Sequence, residues 1–267
     1  MDAVLLMALI ATIGTWLITA LGAATVIFFK SPDWKVLNLM LGFASGVMIA
    51  ASFWSLLQPA IERAAIVCNQ PAYFVATVGF LAGAVFMWAS DKIVTFAQQK
   101  ISTEQTDYDS RLNRIVMLIL SITLHNIPEG LAVGVAFGAL KNGAFTKEGV
   151  MGAATIAIGI ALQNFPEGAA VSLPLRRDGF SRRKSFLLGQ ASGMVEPIAG
   201  VLGALLVVYI EAMLPYALAF AAGAMILVAV HELIPECQKH QETNPYFATM
   251  GIVLGFATMM LLDVMLG

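Results

Sequence analysis

Residues 125–130 read His-Asn-Ile-Pro-Glu-Gly, and residues 163–168 repeat the pattern as Gln-Asn-Phe-Pro-Glu-Gly. The second copy starts 38 residues after the first, and four of the six positions are identical. Both copies lie in the middle of long apolar stretches, where such polar groups are rare. Because consecutive spanning helices run in opposite directions, the two copies predict inverted repeats that meet at the middle of a membrane.

The composition around these motifs is typical of a membrane protein. Of 267 residues, 59% are hydrophobic and 12% are charged, and the mean hydropathy is +0.82. A spanning helix needs about 20 mostly apolar residues. The sequence therefore predicts an all-α membrane protein, a single transmembrane domain over 1–267, with eight helices at 3–29, 36–59, 71–95, 113–139, 149–175, 185–209, 213–236 and 246–266.

Lys and Arg are distributed unevenly among the connections between these stretches. With the N-terminus outside, the inner connections and helix ends hold twelve of the basic residues and the outer ones hold three. Cytoplasmic loops carry an excess of Lys and Arg, so this pattern predicts a multi-pass protein, as of a bacterial inner membrane, with both termini extracytoplasmic. The polar residues 96–112 predict a flexible cytoplasmic loop that joins two bundles.

Three of the predicted helices carry polar side chains at one depth. Glu129, Glu167 and Glu196 lie near the centres of the fourth, fifth and sixth stretches. A charged side chain there costs about 2.5–3.5 kcal/mol on insertion scales, so each carboxylate is a functional candidate. Side chains three and four residues apart share a helix face. The pattern predicts metal ligands at His125, Asn126, Glu129, Gln163, Asn164, Glu167 and Glu196.

The types of these side chains restrict the metal. Imidazole, carboxylate and amide ligands favour zinc, iron(II), manganese or cadmium over copper(I), which prefers sulfur. Magnesium and calcium fit the number of oxygens, but His125 argues against them. No Lys or Arg lies in the core of a predicted helix, so structural ion pairs do not explain the carboxylates.

The second helix carries a polar stripe along one face. The stripe begins at Met48 near the midplane and continues outward through Ser52, Ser55 and Glu62. One interpretation is an entrance path whose inner end offers a thioether to the metal. The alternative is that the Ser hydroxyls bond their own backbone and that Met48 only packs.

A second polar cluster is predicted near the cytoplasmic side. Asp91 on the third helix lies at a depth similar to that of His231 and Glu232 on the seventh. These residues form either an exit site or a polar cap at the membrane interface. The string that begins at His231 starts like the protease motif His-Glu-x-x-His, but Pro235 replaces the second His, which excludes that match.

At these residues the chain resembles the ZIP family of zinc and iron transporters, most closely its bacterial GufA-type branch. The resemblance covers nearly the whole chain and implies a centre for two ions. It also implies that the first, fourth, fifth and sixth helices slide as a unit, like an elevator, against the other four. The implied ligands are Met48, His125, Glu129, Gln163 and Glu167 for one ion, and Asn126, Glu129, Asn164, Glu167 and Glu196 for the other.

The resemblance and the motifs together predict a secondary transporter that moves divalent metal, zinc first and then cadmium, iron(II) or manganese, into the cytoplasm. Its expected partners are the metal ions and the lipid bilayer, with no nucleic acid, and a homodimer is compatible with the sequence. Asn164 stands where many relatives carry a carboxylate or His, so the second implied site is poorer by one charge. The alternatives are an intramembrane metallohydrolase and a metal sensor, which would need a soluble output domain.

Overall fold

The computed structural model describes residues 3–29, 33–102, 107–142, 145–177, 179–238 and 246–266, with residues 97–122 and 142 described by their backbone alone. All regular structure in these ranges is helical. The long helices are α1 (Ala3–Ile27), α2 (Trp34–Val67), α3 (Ala72–Ser102), α4 (Asp107–Gly138), α5 (Lys147–Arg177), α6 (Arg182–Tyr209), α7 (Glu211–Gln238) and α8 (Tyr246–Leu266).

Hydropathy and length show how these helices relate to a membrane. Within the described ranges, seven of them, all except α4, are long and apolar enough to cross a bilayer. Helix α4 carries the polar residues of the first repeat and packs against α1, α5 and α6. The protein is therefore an all-α, multi-pass membrane protein, which confirms the predicted fold class.

Helix α2 is longer than the stretch 36–59 that was predicted for it, because it continues through Pro59 to Val67. A proline normally ends a helix by losing one hydrogen bond and by colliding with the preceding turn. Here Pro59 follows a π-helical turn, Ser52–Leu57, whose wider backbone ring displaces the carbonyl that the proline would meet. The apolar pattern alone does not show such a turn.

The prediction of a loop at residues 96–112 is wrong for most of that segment. The backbone is helical as far as Ser102 and again from Asp107, while residues 103–106 lie outside the described ranges. Gln, Lys and Ala, which are frequent between residues 97 and 102, favour helix, and a polar helix in water has no apolar stripe. Polarity alone therefore does not distinguish such a helix from a loop.

Contacts between helices occur both within and between the two groups of four helices that the family resemblance implies. Helices α1, α4, α5 and α6 pack on one another, α2 packs against α8 and α7, and α3 packs against α7, while α2 also packs against α5, and α3 and α7 also pack against α4. Small residues allow the closest approaches, because a Cβ atom on Gly134 of α4 would collide with the carbonyl of Gly200 on α6. In the same way, a Cβ atom on Gly168 of α5 would collide with the carbonyl of Thr19 on α1.

We expect Gly134→Val to destabilise the protein, because the added side chain forces α4 away from α6 at the backbone contact with Gly200. Overpacking of this kind costs about 1–3 kcal/mol or more. The thermal midpoint of the purified protein in detergent measures the effect. Gly14→Val is the matched control, because nothing lies within 4 Å of a Cβ atom at Gly14. Equal midpoints for the two variants would contradict the packing.

Candidate metal centre

The motifs on α4, α5 and α6 come together as one buried polar cluster. Glu129 and Glu196 are 0% exposed, and Glu167 is 9% exposed. The backbone of Glu196 on α6 packs closely against Gly130, the residue that follows Glu129 on α4. The other buried members of the cluster are His125, Asn126, Gln163 and Asn164. The arrangement follows from the sequence, because the helical backbone continues through Pro128 and Pro166 and keeps each motif on one face.

Amide side chains connect these helices to one another. The Gln163 Nε2 on α5 donates a hydrogen bond to the Glu129 Oε1 on α4. The Asn126 Nδ2 on α4 donates to the carbonyl oxygen of Ser192 on α6, at 2.8 Å. That acceptor lies in a short 3-10 turn, Ser192–Met194, that interrupts α6. Each amide nitrogen therefore donates its hydrogen bond to a neighbouring helix.

Glu196 lies just after this turn and is surrounded by hydrogen-bond donors. The Asn164 Nδ2 on α5 is 2.9 and 3.0 Å from its two carboxyl oxygens. On α1, the Thr15 hydroxyl is 2.5 Å from Oε2, and the Thr19 hydroxyl is 3.5 Å from Oε1. The carboxyl group thus connects α1, α5 and α6 through uncharged partners.

Besides the Glu232 Oε1, which faces the His125 Nε2, four oxygen atoms in the centre are buried and make no hydrogen bond within the described residues. They belong to three amides and one carboxylate, and all four are acceptors: Asn126 Oδ1, Glu129 Oε2, Gln163 Oε1 and Asn164 Oδ1. An unpaired buried acceptor costs about 1–3 kcal/mol. Because only acceptors are left over, the group that satisfies them is a cation or a hydrogen-bond donor, and these oxygens fit a divalent ion.

His125 is paired with a residue from α7. Its Nε2 atom lies 2.5 Å from the Glu232 Oε1. Glu232 lies in a π-helical turn, Ala229–Leu233, of the kind often found at functional sites. Glu232 was predicted as part of an exit site, and the structure places it beside the central cluster.

No three His, Cys, Asp or Glu side chains in the described ranges are arranged as a ready metal site. The partners explain this result, because Glu129 accepts from Gln163, Glu196 accepts from Thr15 and Asn164, and Glu232 contacts His125. A metal ion at this centre would be bound partly by amide oxygens, and a bond from the His125 Nε2 to the ion would replace the contact of that atom with Glu232. Such a mixed set is weaker than the closed ligand sets of structural zinc sites.

Met48 and Ser52 lie in the apolar part of α2. Met48 is 1% exposed and belongs to the main apolar cluster between the helices. The Ser52 hydroxyl donates to the carbonyl oxygen of Met48 at 2.7 Å. For Ser52 the structure shows the alternative in which the hydroxyl bonds its own helix.

Ser55 and Glu62 line a cavity of about 540 Å³ at the end of the bundle where α2, α4 and α8 finish and where α5 and α7 begin. Asp263 on α8 lines the same cavity and accepts a hydrogen bond from the Ser55 hydroxyl, at 2.9 Å to Oδ1. Asp263 is not among the residues predicted from the sequence. An acidic residue inside the apolar stretch 246–266 was the available signal, by the same cost argument that singled out the three Glu residues.

Asp91 and His231 lie in the halves of α3 and α7 that point away from this cavity. The His231 Nε2 is 3.8 Å from the Asp91 Oδ2, and the His231 side chain is 64% exposed. The pair is separate from the central cluster, whereas the neighbouring Glu232 reaches into it.

Thr15 and Thr19 are further functional candidates that are not among the residues predicted from the sequence. Both are buried in α1 and contact Glu196. Thr12, Thr15 and Thr19 recur at helical spacing on a mostly apolar helix, and this pattern in the sequence indicates a helix face with polar contacts.

These buried motifs and eight long helices have a counterpart among known proteins. A family model described as ZIP zinc transporter matches residues 3–114 and 97–263. The chain belongs to the ZIP family. Because ZIP proteins are transporters, this ZIP protein is a transporter, and the metallohydrolase alternative is excluded.

Relatives of this ZIP protein occur in animals and bacteria. Zinc transporter ZIP11 of Homo sapiens is 40% identical, over 97% of each chain. Zinc transporter ZIPB of Bordetella bronchiseptica is 34% identical, over 93% of this chain and 78% of its own. Zinc transporter GufA of Myxococcus xanthus is 33% identical, over 93% of this chain and 94% of its own. The resemblance to the ZIP family is thus confirmed over nearly the whole length.

Proposed function

We propose that this protein is a secondary transporter that moves divalent transition metal ions, zinc above all, through the cluster between α4, α5 and α6 into the cytoplasm. Cadmium, iron(II) and manganese are further candidate substrates, because their ligand preferences overlap with those of zinc. Membership of the ZIP family and the names of the zinc-transporting relatives support zinc.

The observation that carries the proposal is the set of four unpaired oxygens at Asn126, Glu129, Gln163 and Asn164. A positive ion between these oxygens would remove the cost of their burial and offset the repulsion between the carboxylates. His125, Glu167 and the thioether of Met48 complete the proposed donors. Because several of the ligands are uncharged amides, the ion is held weakly enough to leave, as a substrate must.

The proposed route runs through the three clusters in order. Metal enters the cavity lined by Ser55, Glu62 and Asp263, binds at the centre, and leaves past Glu232 toward Asp91 and His231. The distribution of Lys and Arg supports both termini outside the cytoplasm of a bacterial inner membrane. All residues of the route lie in one chain, so a homodimer would contain two separate routes.

In an elevator-like, alternating-access movement, the first group of helices, α1, α4, α5 and α6, would slide as a unit against the second group, α2, α3, α7 and α8. Polar contacts join the helices of the first group, through Gln163 with Glu129, through Asn164 with Glu196, and through Thr15 with Glu196. The contact between His125 and Glu232 crosses from this group to the second one. Release of that contact would allow the groups to slide and would free His125 for the ion.

The test is uptake of radioactive zinc into proteoliposomes that contain the purified protein. We expect zinc uptake above that of protein-free liposomes, without ATP, and competition by cadmium, iron(II) and manganese but little by magnesium. Uptake no greater than in protein-free liposomes would contradict transport. Equal competition by magnesium would contradict the proposed selectivity.

We expect Asp263→Asn to weaken zinc capture without removing transport. The variant loses one negative charge from the outer cavity, where Asp263 accepts from Ser55. A partly solvated charge contributes about 1 kcal/mol or less, so the zinc concentration for half-maximal uptake should rise about twofold to fivefold. Maximal uptake should change little. Glu211→Gln, an exposed carboxylate at the start of α7, is the control. An unchanged half-maximal concentration in Asp263→Asn would exclude this entrance.

A further inference from the structure

We infer that Glu196 is a fixed tether that connects α1, α5 and α6. The amide nitrogen of Asn164 binds the Glu196 carboxyl group where a second metal ion would otherwise do so. In this arrangement the centre holds one ion. The inference rests on the proposed function, because it describes the same centre, and it assigns Asn164 two tasks through its two amide atoms.

Glu196 contacts hydrogen-bond donors on two other helices, α1 and α5. Both carboxyl oxygens face the Asn164 Nδ2, at 2.9 and 3.0 Å, and Oε2 is also 2.5 Å from the Thr15 hydroxyl. The Thr19 hydroxyl is 3.5 Å from Oε1. Each oxygen of the carboxyl group thus has a protein donor at hydrogen-bond distance.

The carboxyl group of Glu196 is closely packed on the side that faces Gly193. A Cβ atom on Gly193 would lie 3.1 Å from the Glu196 Oε1, 3.1 Å from the Thr19 Oγ1 and 3.0 Å from the Trp16 Cδ1. The carboxyl group is therefore enclosed by protein on this side, and Glu196 is 0% exposed. An ion and its other ligands would have to displace these donors.

The two amide atoms of Asn164 face different partners. Its nitrogen points to Glu196 and to the carbonyl oxygen of Thr15, at 3.2 Å, while its Oδ1 is one of the four unpaired oxygens. Asn164 thus presents a donor to Glu196 and an acceptor to the proposed ion. A carboxylate at this position would offer only acceptors, and the repulsion from Glu196 would then require a second cation.

The first experiment measures the tether in the metal-free protein. The purified full chain is treated with a chelator, and Tm is compared for Thr15→Val and Thr12→Val. Both threonines are buried on α1 and donate to carbonyls of that helix, but of the two, within the described residues, Thr15 alone also contacts another helix, through Glu196. We expect Thr15→Val to lower Tm by about 3 °C or more and Thr12→Val to lower it by less than half as much. Equal shifts would overturn the tether.

The second experiment counts zinc, which a purely structural role would not change. Purified proteins are equilibrated with zinc, passed through a gel-filtration column and analysed for metal per chain. We expect Asn164→Asp to bind one zinc ion more than the wild type, because the amide donor between the carboxylates is gone. Zinc should also raise the Tm of Asn164→Asp more than that of the wild type.

The control for an added buried carboxylate is Asn38→Asp on α2, which should not gain an ion. A wild type and an Asn164→Asp variant with the same zinc count would overturn the inference, since the second ion would then be either already present or not required. Both measurements use solubilised protein, so they are independent of uptake. A wild type that fails to transport zinc would contradict the proposed function, whereas the Tm and zinc-count results would still test whether Glu196 is a tether.

Discussion

Glu129→Gln is expected to reduce zinc uptake to the level of protein-free liposomes. The substitution keeps the size of the side chain but replaces a carboxylate, fully buried and next to Gln163, with a neutral amide. Loss of this charge removes the strongest proposed ligand and leaves the amide NH₂ group of the new side chain facing the ion. Initial rates of radioactive zinc uptake into proteoliposomes, at equal amounts of folded protein, measure the effect.

Glu148→Gln provides the matched control, because Glu148 is exposed in the first turn of α5. It should transport zinc at nearly the wild-type rate. A Glu129→Gln variant that elutes as folded protein and retains more than a small part of wild-type uptake would show that the ion passes elsewhere.

Glu232→Gln is expected to slow transport while zinc binds more tightly at the centre. In the proposed exchange Glu232 competes with the metal for His125, and its Oε1 lies 2.5 Å from the His125 Nε2. A neutral amide holds the imidazole less strongly, so His125 remains on the ion and release becomes slower. We expect maximal uptake to fall about tenfold, which corresponds to about 1.4 kcal/mol, together with a lower half-maximal zinc concentration.

His231→Gln is the control for this prediction, because His231 is the preceding residue but contacts Asp91 instead of His125. It should not tighten zinc binding. Glu232→Gln with weaker zinc binding would indicate that Glu232 is itself a ligand of the central ion, and the proposed exchange on His125 would then be wrong.

The fold class follows from the sequence because insertion in a bilayer leaves few solutions. Within a membrane every backbone polar group needs an internal partner, so long apolar stretches such as 3–29 and 246–266 become helices. The same reasoning is weak outside the membrane, where polar residues fit both helices and loops. Residues 96–112 show this limit, since the backbone there is helical as far as Ser102 and from Asp107.

The candidate centre was predictable in its members but only partly in its contacts. Glu129, Glu167 and Glu196 stand out because a carboxylate is costly at that depth, whatever it contacts. Periodicity says which face of a helix a side chain occupies, but not which neighbour it meets. The contact of Glu232 with His125 therefore places Glu232 beside the central cluster instead of in the predicted exit site. Asp263 and Thr15 are recognised as members of the polar clusters only from their contacts with Ser55 and Glu196.

The sequence by itself determined the membrane class, the helical repeat and the residue types that can bind a metal, because each depends on local composition and spacing. The tertiary structure alone decided which atoms of those residues remain available. Gln163 and Asn164 turn their nitrogens to Glu129 and Glu196 and leave their oxygens unpaired. That choice depends on helices α1, α4, α5 and α6 meeting at backbone distance through Gly134 and Gly168, and such contacts between distant residues are set by packing.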